Sequence, residues 1–72
     1  MTEQEAIDEA IHIKERLRNA GTLDDLARVC DDVRPKVLEI NEASKALGTQ
    51  IVSLRDTMSA SLAANEFGRG AG

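Results

Sequence analysis

The residues with most chemistry to offer are few: His12 with Asp8 before it, the single Cys30, and the adjacent carboxylates Asp31 and Asp32. Asp8 and His12 stand four apart, the spacing at which two side chains on one helix face grip a metal ion. A zinc-type site needs a third and a fourth ligand, and none stands nearby in the sequence. The pair reads as a solvated ion pair. Neighbouring helical residues point about 100° apart, so Asp31 and Asp32 do not converge on one proton. They fit a helix cap or a solvated face. Cys30 falls on an apolar stripe, where a thiol behaves as a small hydrophobe. A redox or interchain disulfide role for it requires two copies aligned in parallel at that layer. No glycine-rich loop follows a strand, and no Ser–His–Asp or Cys–His set can be assembled. The sequence predicts a protein that is not an enzyme and uses no cofactor or metal.

Composition narrows the remaining classes. The chain has 72 residues, 13 acidic against 9 basic, and a formal charge of −4. Its bases are interspersed with acids, which argues against direct nucleic-acid binding by phosphate neutralisation. Gly68-Arg69-Gly70 has the form of an arginine–glycine tail, but one arginine in an acidic chain makes a poor anchor for DNA. A single cysteine suggests a reducing compartment. The chain opens on no charged-then-apolar leader and holds no run of membrane-spanning length, so the expected location is the cytoplasm. Phe67 is the only aromatic residue. The core must therefore come from Leu, Ile, Val and Ala, the palette of helix seams.

Those seams are legible. Thr2 caps a first helix with Glu5 three residues on as a capping box, and Glu3, Asp8 and Glu9 suit the positive end of its dipole. Ala6, Ala10, Ile13, Leu17 and Ala20 make its apolar stripe, widened by Ile7 and Ile11. Lys14, Arg16 and Arg18 lie toward its far end. Gly21 is the expected left-handed stop, and Thr22, with Asp24 and Asp25 behind it, caps the next helix.

From there one apolar seam runs through Leu23, Leu26, Cys30, Val33, Val37, Ile40, Ser44, Leu47, Ile51, Leu54 and Met58. The steps alternate three and four without a slip, the period of a left-handed coiled coil, with Ser44 the one polar position. The expected fold is all-α: a short N-terminal helix, then a long heptad helix, straight or kinked, in a helical hairpin or coiled coil. Pro35 and the Gly48-Thr49 pair are candidate breaks, although the seam keeps its phase through both. A break near Gly48 gives the alternative, a three-helix bundle. A single helical domain spans 1–67, and 68–72 is read as a flexible tail after a stop at Gly68.

An unbroken helix to Glu66 would be on the order of 65 Å long. The first helix could not cover it, and Leu47, Ile51, Leu54 and Met58 would face water in a monomer. That reading predicts a homodimer, with Leu23, Leu26, Cys30, Val33, Val37, Ile40, Leu47, Ile51, Leu54 and Met58 as its interface. The bundle alternative buries them internally and predicts a monomer. Phe67 beside small residues is either a satellite core residue or an anchor for a partner.

The short helix followed by Thr22-Leu23-Asp24-Asp25-Leu26 and the heptad run resembles the amino-terminal oligomerisation domain of the histone-like nucleoid-structuring (H-NS) proteins. The likeness covers about residues 1–42, with Ile7, Ile11, Leu23, Leu26, Cys30, Val33 and Val37 at the matching positions. It implies a dimer whose short helices wrap a coiled coil, with those residues as dimer contacts. This chain departs from that pattern in having Cys30 and Val33 where larger leucines stand, and Arg34-Pro35 within the helix. No DNA-binding domain follows in this chain, so the resemblance implies self-association or pairing with such a regulatory protein to modulate it. The competing expectation is a small inhibitor of the phage or plasmid type, docking on a host enzyme or defence protein.

Overall fold

A computed structural model describes the backbone of residues 1–71 and the side chains of residues 1–67. The chain is all-α, with helices α1 (Glu3–Asn19), α2 (Leu23–Ala43) and α3 (Lys45–Ala71). Both predicted caps form. Thr2 Oγ1 accepts from the Glu5 amide at 3.2 Å and donates to Glu5 Oε1 at 3.1 Å. Thr22 Oγ1 accepts from the Asp25 amide at 3.1 Å.

The helix ends differ from expectation in instructive ways. α1 is closed by Ala20, extended at φ −65° and ψ 122°, whose amide bonds Leu17 O at 3.2 Å. Gly21 is not a left-handed stop: among the described residues no glycine has positive φ. Pro35 lies inside α2 and does not end it. The long helix is instead divided at Ser44, which leaves helical geometry at φ −154° and ψ 108°. Gly48, the expected break, lies inside α3 and is buried. Ser44 satisfies both flanking helices at once. Its amide donates to Ile40 O at 2.7 Å, its carbonyl accepts from the Gly48 amide at 3.2 Å, and its hydroxyl accepts from the Leu47 amide at 3.4 Å. α3 continues past Gly68 to Ala71. The predicted tail, 68–72, otherwise falls outside the described residues.

One residue of joint folds α3 back along α2, and α1 lies against both. The core is Ala6, Ala10, Ile13, Leu17 and Ala20 of the α1 side with Leu26, Val33 and Ile40 of α2 and Ile51 and Leu62 of α3. Alanines at two successive turns of α1 let its backbone come close to its neighbours. Gly48 does the same for α3. A Cβ built there would stand 2.9 Å from Asn41 Cβ on α2, closer than carbon atoms approach. The glycine that reads as a helix breaker is therefore a notch for the facing helix. Ile7 and Ile11 do not widen the buried stripe. They are 36% and 52% exposed, because α1 meets its neighbours along one side only.

Two polar contacts tie α1 in place. Arg16 Nη2 meets Asp32 Oδ2 at 2.8 Å, joining α1 to α2, and Lys14 Nζ donates to Gln50 Oε1 at 2.8 Å, joining α1 to α3. Both are solvent-facing, so each contributes at most about 1 kcal/mol. Apolar burial dominates: a buried large aliphatic side chain contributes roughly 1.5–3 kcal/mol.

Candidate interaction surface

The seam predicted as an interface between chains is occupied within one chain. Leu26, Val33, Ile40 and Ile51 are buried, and Leu23, Cys30, Val37, Leu47, Leu54 and Met58 pack half-buried around them. With an unbroken helix the lower seam was expected to face water in a monomer, because α1 is too short to cover it, whereas a three-helix bundle was expected to bury it internally. The first expectation fails because α3 turns back at Ser44 and presents the same residues to α1 and α2. Burial of Leu47, Ile51, Leu54 and Met58 thus needs no second chain. Phe67 stands apart from this core, 74% exposed near the far end of α3. Its side chain is not a satellite of the core.

An apolar groove stays open between α2 and α3. It encloses about 330 Å³, with Leu17, Val33, Val37 and Ile51 in its floor and Cys30 at its side. Leu38 and Val52 stand on its two banks, 62% and 38% exposed, and Arg34 and Arg55 complete the lining. Leu38, Val52 and Arg55 went unremarked in the sequence, and Arg34 was noted there only as the neighbour of Pro35. A signal was present, since Leu38 follows Val37 and Val52 follows Ile51, one step outside the three-four rhythm. An apolar residue beside a seam position widens the stripe toward a neighbouring face.

Among the described residues, the arginines on the rim hold local partners. Arg34 reaches Asp31 at 3.5 Å and Arg55 reaches Asp56 at 3.1 Å, and all four side chains are largely exposed. Such pairs exchange readily with an incoming carboxylate, because a solvated ion pair holds its partners weakly.

The groups first suspected of chemistry are dispersed. Asp31 turns to Arg34 and Asp32 to Arg16, so the adjacent carboxylates diverge. Asp8 accepts from Gln4 Nε2 at 3.3 Å. Among the described residues, no three of the His, Cys, Asp and Glu side chains gather closely enough to hold a metal ion. Cys30 is a half-buried free thiol. No helix among the described residues is long and apolar enough to cross a membrane. In comparisons with known proteins, no family model, curated protein or solved structure matches the chain.

Proposed function

We propose that this chain is a non-enzymatic helical interaction protein of the cytoplasm, which self-associates or pairs with a regulatory protein to modulate it. The observation that carries this reading is the open groove between α2 and α3, banked by Leu38 and Val52. Two large aliphatic side chains in solvent beside an apolar floor fit a helix laid along the groove, with its own apolar residues pointing down. Arg34 and Arg55 select acidic flanks on that helix, by charge complementarity at a rim. A histone-like nucleoid-structuring protein is one such regulatory partner, on the resemblance carried by residues 1–42.

The test replaces both banks together. Leu38→Glu with Val52→Glu should leave the helical circular-dichroism signal and thermal midpoint close to wild type, since neither side chain is in the core. It should abolish binding of the partner that copurifies with the wild-type chain and cross-links to the groove. Binding that survives the double variant removes the groove from the reading.

The exposure of Phe67 favours a second reading, a docking inhibitor that inserts this ring into a host enzyme or defence protein. Phe67→Ala should then weaken that complex by roughly 2 kcal/mol, the scale of an interface hot spot. The thermal midpoint should hold steady. A midpoint that falls while binding persists would rule the anchor out.

A further inference from the structure

Three observations meet at the joint between α2 and α3. The seam keeps its three-four phase straight through Ser44, from Val37 and Ile40 to Leu47 and Ile51. Two arms of a hairpin have no need to share one phase, whereas a single straight helix does. The charges beside the joint also oppose the helix ends they flank. α2 closes with Glu42 and no basic residue in its last turn, and α3 opens on Lys45 with no acidic residue in its first. An acid at a carboxyl end and a base at an amino end are each unfavourable to the helix dipole. Joining the helices removes both ends and turns Glu42 and Lys45 into a favourable pair three residues apart. Finally, the joint is one residue long, and the side-chain cap on α3 is the Ser44 hydroxyl at 3.4 Å from the Leu47 amide. Tight hinges of this kind favour exchange of the element beyond them.

We propose that two copies of this chain form a helix-exchanged dimer, in which α2 and α3 straighten through Ser44 into one continuous helix. The α3 half of each copy then packs on α1 and α2 of its partner. This rests on the self-association branch of the function proposed above, and it names a second copy of the chain as the partner. The contacts of the monomer are remade between chains, including Gly48 against Asn41 and Lys14 with Gln50. The new contact lies on the two-fold axis, where the Ser44 residues of the two copies meet between layers built from Ile40 and Leu47. Exchange leaves the Leu38–Val52 groove intact, so the dimer carries two of them.

The experiment measures association by sedimentation and identifies the contact by cross-linking. Wild type should show a concentration-dependent monomer–dimer equilibrium. Ser44→Ala removes the cap of the closed form and adds a helix former to the straight one. It should favour opening by about tenfold per joint, hence about a hundredfold in the dimerisation constant. Inserting Gly-Ser-Gly after Ser44 should leave a monomer at every concentration, because it interrupts the long helix and costs the hairpin little. Circular dichroism checks that each variant keeps its helices.

For the contact itself, a Lys14→Cys chain and a Gln50→Cys chain, both in a Cys30→Ser background, are mixed at high concentration. A short bismaleimide should then join one to the other. A wild type that stays monomeric to millimolar concentration overturns the proposal. So does a dimer that survives the insertion or yields no such cross-link, for that dimer associates side by side. Side-by-side association leaves the groove reading standing, so the two failures are distinguishable.

Discussion

At the scale of single residues, two glycines that look alike in sequence have opposite constraints. A Cβ at Gly21 meets nothing within 4 Å, and the backbone there is not left-handed. Gly21→Ala should therefore stabilise the fold by about 0.4–1 kcal/mol, because it restricts the unfolded chain at a position alanine can occupy. A lower urea midpoint for this variant would contradict the joint as described. At Gly48 the added carbon runs into Asn41, whose own Cβ stands 2.9 Å away and cannot swing aside as a side-chain tip can. Overpacking of this sort costs about 1–3 kcal/mol, and alanine's better helix propensity returns about 1 kcal/mol of it. Gly48→Ala should therefore lower the thermal midpoint, and adding Asn41→Gly should recover part of the loss. Measured against each background's own midpoint, an equal drop on Gly48→Ala with Asn41 or with Asn41→Gly would show that Asn41 is not the obstacle.

At the scale of elements, Pro35 is the local fault that α2 tolerates. It lies on the exposed side of the helix and denies a hydrogen bond to the carbonyl four residues before it. Pro35→Ala should stabilise the protein by about 1–3 kcal/mol, read from chemical denaturation, with no change in the all-helical spectrum. The helices themselves were legible in the sequence. Thr2 and Thr22 cap where their side chains and following acids say they should, and the stripe from Ala6 to Ala20 faces the core. The membership of the seam was legible too, because a three-four period follows directly from helix geometry. Its partner was not. Periodicity identifies which residues seek burial and is silent on whether the covering helix belongs to another chain or to the same one. The break site was misread for a related reason. Gly48 and Thr49 have the local signature of a stop and restart, but Gly48 answers to the helix across from it, which no local rule sees. Ser44 carried a capping signal that was masked by its place in the seam. Ile7 and Ile11 were miscast because α1 touches two neighbours rather than a ring of them.

On the scale of the whole molecule, a core this small has little stability to spare. Leu54 belongs to the shell packed on that core. If the seam joined separate chains, Leu54→Asp would part them and leave α1 folded. In the bundle observed, the same substitution places a carboxylate against the core of a single chain. A charge set half-buried among apolar side chains with no partner still costs on the order of a few kcal/mol, a large share of the stability of so small a fold. Leu54→Asp should therefore abolish the cooperative thermal transition and lose α1 together with α3. A variant that keeps its helicity and its melting transition would show that α3 does not pack there.

The brevity of both joints also bears on how quickly this molecule assembles. α1 and α2 are separated by three residues, Ala20 to Thr22, and α2 and α3 by one. Each helix can therefore find its neighbour after closing a very small loop, and only the meeting of α1 with α3 spans a longer stretch of chain. Chains dominated by such local encounters fold in microseconds to milliseconds. Refolding after a transient opening is then far faster than a diffusive meeting of two opened chains at low concentration. On the proposed helix exchange, a copy released alone would close on itself first, and partnership between copies would come later, at a pace set by how often α3 lets go.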